Sequence, residues 1–181
     1  MLDFLDSHIW INLSEEFIRG TNYWETIGRH GHPDYLFKRE PISGGYAAAR
    51  YRLIPQDVDY DQHYALLCER WNSRRDEWKQ WLNKAIGWSS EIGRRLNIPV
   101  GCTEGWGMIL WTEHPLLGWT IQREAAEEAV PLAAEHGFLF NCSANFCHPH
   151  HAGFWRDVEW HQRITAAIRA GKGNKSWLQP E

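Results

Sequence analysis

The sequence predicts an α/β fold, a parallel β-sheet covered by helices. Apolar segments suited to buried strands begin near residues 3, 98 and 138, and each is followed by a loop and then by a helix-patterned stretch. Long connections follow the strands and short ones follow the helices. Strands repeating in this order need crossovers of a dozen or more residues, which helices supply, and they therefore lie parallel. Variable surface then gathers at the C-terminal ends of the strands, an asymmetry common to (β/α)8 barrels and open α/β sheets.

Each element has a local reason. Residues 3–13, DFLDSHIWINL, are few, apolar and aromatic, which suits a strand. Residues 14–58 carry Gly20, Gly28, Gly31, Pro33, Pro41, Gly44, Gly45 and Pro55, too many breakers for a long helix. A long loop with short helical turns after Ser14 and Thr21 is expected there, and aromatics such as Trp24 and Tyr46 argue against disorder. From Asp59 to Asn97, residues Trp78, Trp81, Leu82, Ala85, Ile86, Ile92 and Leu96 recur near helical spacing. This gives one long helix, or two joined near Asn72 and Ser73, ended by Asn97 and Pro99.

The next strand, IPVGCTE, leads into a polar and aromatic loop up to Trp119. Thr120 is the expected N-cap of IQREAAEEAVPLAAEHG, with Pro131 kinking its middle and Gly137 as its stop. Its acidic REAAEEA stretch reads as a solvated helix start favoured by the macrodipole. FLFNCSANF supplies a third strand and DVEWHQRITAAIRAG a last helix, capped by Asp157 and stopped by Gly171. Residues 1–171 form one domain and 172–181 a polar tail.

Composition bounds the function. The chain of 181 residues is 43% hydrophobic and 23% charged, enough for one core. Nineteen Lys and Arg against 23 Asp and Glu give a net charge of -4 with no basic stripe, so no nucleic-acid partner is expected. No membrane partner is expected either: no apolar run is long enough to span a bilayer, and MLDFLDSHIWINL lacks the basic start of a secretory signal. Cys68, Cys102, Cys142 and Cys147 have no paired spacing and read as reduced thiols, which favours a cytoplasmic location. Twelve tryptophans are the outlier. Their flat rings serve as core mass or as platforms for the C–H faces of sugars. Trp71, Trp78, Trp81 and Trp88, on helix-patterned sequence, are assigned to packing.

The stretch VGCTEGWG poses the functional question. Strand alternation puts Val100, Cys102 and Glu104 on one side, which lifts Glu104 to the end of the strand. Gly105 and Gly107 would let the backbone bend there and leave room for a ligand. The alternative is a carboxylate that merely caps the sheet or pairs with an arginine.

PVGCTEGWG resembles the seventh-strand segment of cellulase-like clan A glycoside hydrolases, where a hydrophobic strand ends in a Thr-Glu followed by small and aromatic residues. LDSHIWINL resembles the sixth strand of that family, and FLFNCSANFCHPHHAGFW sits where its eighth strand and stacking Trp belong. The resemblance implies a partial TIM (β/α)8 barrel, strands six to eight with their helices, and a long loop after the first of these strands. It implies a retaining glycosidase whose nucleophile is Glu104, acting on an oligosaccharide or glycoside without cofactor or metal. His8, Trp10, Trp106, Trp111 and Trp155 are the implied substrate-binding residues. At Trp10 the chain departs from the family's usual Tyr, so an indole N–H stands where a hydroxyl would support the nucleophile.

Retaining glycosidases need two carboxyl groups about 5–5.5 Å apart. The family places its acid/base after an Asn at the end of the fourth strand, and no Asn-Glu occurs here. Glu40 and Glu113 are loop residues that could stand in. The expectation is therefore a fragment that lacks the N-terminal barrel half with its acid/base and is inactive alone, since a typical barrel needs ~250 residues. Two other readings stand beside it. One is a non-catalytic carbohydrate-binding protein with the same aromatic cleft. The other is a metal site at CHPHH (Cys147, His148, His150, His151), whose spacing matches no H-E-x-x-H or C-x-x-C pattern.

Overall fold

The computed structural model describes residues 3–20, 60–107, 119–143 and 152–171. Three chain segments run parallel. The first holds β1 (Leu5–Asp6) and β2 (Ile9–Trp10); the second holds β3 (Val100–Gly101) and β4 (Gly105–Trp106). The third meets the second at a parallel bridge between Cys102 and Asn141.

Carbonyl direction decides which segment is central. In a parallel strand successive carbonyls point to alternate edges. Pro99 O and Gly101 O accept from Leu5 N and Ser7 N at 2.8 and 2.9 Å, whereas Val100 O and Cys102 O accept from Leu139 N and Cys142 N at 2.7 and 2.8 Å. The Val100–Trp106 segment therefore lies between the other two. The order in space follows the order in sequence, as the βα pattern predicts.

The strands are shorter than expected. After Trp10 the first segment turns into a single 3-10 turn over Ile11–Leu13, where a strand to residue 13 was predicted. The third is a bridge with flanking hydrogen bonds over 139–142, and the end of the predicted strand, residues 144–146, lies outside the described residues. Pairing is also offset. Leu5 and Asp6 stand opposite Val100 and Gly101, but Ile9 and Trp10 stand opposite Gly105 and Trp106. Ser7 and His8 therefore face Cys102, Thr103 and Glu104, a bulge of one residue that displaces the alternation beyond it.

Helices cross between the segments. Ser14 caps α1 (Glu15–Ile18), its hydroxyl facing Phe17 N at 3.4 Å. The predicted helical stretch is two helices, α2 (Tyr60–Ser73) and α3 (Arg75–Leu96), broken at Arg74. α3 buries Trp78, Leu82, Ile86, Ser89, Ser90 and Gly93 on one stripe and ends at Asn97 in the left-handed conformation (φ 53°). Trp71 and Trp78 are core residues as expected, while Trp88 is 69% exposed and lies outside the core.

α4 (Thr120–Glu135) starts one residue earlier than the sequence suggests: Trp119 is its N-cap and Thr120 its first helical residue. The indole has no acceptor to offer a backbone N–H, and the Tyr64 hydroxyl takes the bond from Thr120 N at 2.9 Å. Pro131 lies within the helix without ending it. The REAAEEA carboxylates are not a solvated helix start. Glu124 accepts from Trp71 Nε1 at 2.6 Å and pairs with Arg75, Glu127 accepts from Trp160 Nε1 at 2.9 Å, and Glu128 pairs with Lys79 at 2.6 Å. They tie α4 to its neighbours on both sides. α5 (Ala152–Trp155) precedes α6 (Val158–Ala170), whose N-cap Asp157 accepts from Trp160 N at 3.1 Å as predicted. No helix among the described residues is long and apolar enough to cross a membrane.

Candidate functional site

The bulge gathers four side chains at the strand ends. His8 stands beside Glu104, with Nδ1 3.5 Å from Oε2, and on its other side Nε2 lies 3.3 Å from Asp6 Oδ2. Thr103 closes the group: its amide donates to Asp6 Oδ1 at 2.9 Å and its hydroxyl to Asp6 Oδ2, while the same hydroxyl oxygen lies 3.3 Å from His8 Nε2. The Glu104 side chain is 14% exposed and that of His8 39%, so the array opens to solvent at the imidazole.

Electrostatics fix the charge of Asp6. Partial burial pushes the Asp6 carboxyl up, but the Thr103 hydroxyl and amide and the neighbouring His8 outweigh it and hold it below the ordinary carboxylate value. Asp6 is therefore a fixed anion. Beneath the site the Cys102 thiol donates to Glu104 O at 3.1 Å, and burial pushes it up to about 12, which leaves it a neutral packing group.

The predicted aromatics divide. Trp10 meets the His8 ring edge-on at 5.2 Å between centroids, and its buried Nε1 has no acceptor among the described residues. A buried indole N–H without a partner is costly. Trp106 departs from the prediction. It is fully buried, donates to Asn141 Oδ1 at 3.1 Å and leans on Phe138, so neither ring face is open to a sugar. Trp155 is 43% exposed, but one of its faces is covered by His161, stacked at 4.4 Å. Trp111, Glu40, Glu113 and the CHPHH cluster lie outside the described residues. Among those described, no three His, Cys, Asp or Glu side chains are gathered as a metal site needs.

The glycines beside Glu104 serve close packing, not ligand room. A Cβ on Gly107 would lie 2.6 Å from Gln122 Cα, and one on Gly105 would lie 3.0 Å from Cys102 Sγ. Asp6 and Thr103 were missed by sequence reading: both lie inside the segments LDSHIWINL and PVGCTEGWG, but the resemblance assigned neither a role. Both sit within two residues of the predicted pair His8 and Glu104, and that adjacency was the available signal.

No curated protein matches the chain. Among solved structures, a proposed glycoside hydrolase from Parabacteroides distasonis ATCC 8503 matches with a TM-score of 0.70 and 26% sequence identity, over 99% of this chain and 41% of that one. The chain thus spans less than half the length of that protein. The family described as sugar-binding cellulase-like matches residues 1–169. The chain therefore belongs to the sugar-binding cellulase-like family, among the relatives of glycoside hydrolases.

Proposed function

We propose that this chain is the nucleophile-bearing part of a retaining glycoside hydrolase with a partial (β/α)8 barrel, and that Glu104 attacks the anomeric carbon of a bound glycoside. The observation that carries the reading is the seating of Glu104 against His8 in the bulge that follows β1 and β3, towards the C-terminal side of parallel strands, where such folds assemble their sites. The attack forms a C–O bond to a Glu104 carboxylate oxygen as the bond to the leaving group breaks, the leaving oxygen taking the electron pair. Asp6 cannot be the proton donor, because Thr103 holds it ionised. The acid/base carboxyl then comes from outside the described residues. The solved relative, of which this chain covers 41%, has length enough for the βα units that would carry it.

A reagent whose leaving group needs no proton isolates the nucleophile from the acid/base. A panel of 2,4-dinitrophenyl 2-deoxy-2-fluoroglycosides (gluco, manno and galacto) is incubated with the chain, followed by peptide mass spectrometry. The expected result is one fluoroglycosyl adduct on the peptide containing Glu104, absent in Glu104→Gln. An adduct on another carboxyl overturns the assignment. Saturable binding of oligosaccharide without any adduct favours the second reading, a non-catalytic sugar-binding protein, which the family's sugar-binding description supports.

A further inference from the structure

We propose that Asp6 and Thr103 are positioning residues that hold His8 as its Nε2–H tautomer, so that His8 Nδ1 is the atom exchanging a proton with Glu104. Its catalytic consequence rests on Glu104 being the reacting carboxylate; the tautomer itself does not.

The assignment follows from counting protons. Thr103 Oγ1 carries one hydrogen, and its close contact with Asp6 Oδ2 requires that hydrogen to lie between the two oxygens. Rotating it toward His8 would leave two oxygen lone pairs in contact. The Thr103 hydroxyl therefore offers His8 only an acceptor. Asp6 offers only acceptors as well, because it is held as a carboxylate. His8 Nε2 lies 3.3 Å from both, an arrangement suited to one N–H shared between two oxygens. A bare Nε2 would face lone pairs on both sides. Nε2 thus carries a hydrogen whatever the charge of the ring.

Nδ1 is then the variable atom. It faces a single acceptor, Glu104 Oε2, at 3.5 Å, against two at 3.3 Å from Nε2, so a ring holding one proton keeps it on Nε2 and Nδ1 is the atom that gains or loses the second. With the proton on the ring the pair is imidazolium and carboxylate; with it on Glu104 the pair is neutral imidazole and carboxylic acid. Both arrangements have the same net charge; transfer to Glu104 neutralises an ion pair, and the reverse transfer restores it, within a site that is only partly solvated. The Thr103 amide bond to Asp6 at 2.9 Å anchors the assembly to the bulge, and the same irregularity that seats Glu104 beside His8 sets the tautomer.

The test is 15N-resolved NMR of the imidazoles in the full chain at alkaline pH, where the ring is neutral, with His8 identified by the signal lost in His8→Gln. Expected is Nε2–H for His8, with the signature of a bare nitrogen at Nδ1. Asp6→Asn places an amide donor within reach of Nε2 and should shift the tautomer ratio by about tenfold or more toward Nδ1–H. Thr103→Val should loosen the preference in the same direction while circular dichroism stays unchanged. An Nδ1–H ring or an even mixture in the unaltered chain overturns the proposal even if a variant fails to fold, as does an unchanged ratio in a folded Asp6→Asn. A fixed Nε2–H tautomer without a glycosyl adduct would leave this inference standing and remove the nucleophile reading; an adduct with a mixed tautomer would do the opposite.

Discussion

Replacing Gly107 by Ala tests how the Glu104 strand is seated on α4. A Cβ at this position would lie 2.6 Å from Gln122 Cα, 3.0 Å from its Cγ and 3.2 Å from its Cβ. Unstrained carbons sit ~3.5–4.0 Å apart, so strand and helix must separate by about 1 Å. Overpacking of this kind costs roughly 1–3 kcal/mol, and the upper half applies because the obstacle is backbone. The narrower unfolded ensemble of alanine returns about 0.4–1 kcal/mol. The net loss is about 1–2.6 kcal/mol, which for a chain of this size lowers Tm by about 2–10 °C at 2–4 °C per kcal/mol. Differential scanning calorimetry measures it. Adding Gln122→Ala should recover little, because it leaves the Cα in place. A Tm unchanged by Gly107→Ala, or full recovery in the double variant, would refute this account of the packing.

Other expected outcomes concern single groups. The Asp6 carboxyl is lower in the fold than in the unfolded chain, so the stability it contributes is present above about pH 4 and lost as pH falls through its lowered value; Asp6→Asn should flatten that acid limb in urea midpoints measured from pH 5 down to 2. Tyr64→Phe deletes the acceptor for Thr120 N and should cost about 1 kcal/mol, read as a fall of about 2–4 °C in Tm. Cys102, buried with its thiol pushed up to about 12, should resist iodoacetamide in the folded chain and react only on unfolding, whereas the partly exposed Cys142 reacts first, as peptide mapping will display.

Features that depend on neighbours in sequence were legible. The 3.6-residue recurrence of Trp78, Leu82 and Ile86, the stop at Asn97, and the capping side chains of Ser14 and Asp157 each act within a turn or two of chain, and all of them appear in the structure. The order of apolar segments and crossovers made the sheet parallel, which the ladder of Leu5, Ile9 and their partners bears out. The Thr-Glu at a strand end pointed to the family, and Glu104 and His8 are neighbours in the fold.

What required the tertiary structure was whatever two distant segments decide together. Asp6 and Thr103 lie 97 residues apart, and the one-residue offset that joins them is a property of the pairing, not of either strand. Burial of Trp106, close packing at Gly107 and the ties of Glu124, Glu127 and Glu128 were likewise hidden, because composition states what a side chain can do but not what stands opposite it. Periodicity is local and settles which elements form. Register depends on hydrogen bonds between strands far apart in the chain, and a slip of one residue would turn His8 away from Glu104 without altering either segment's sequence.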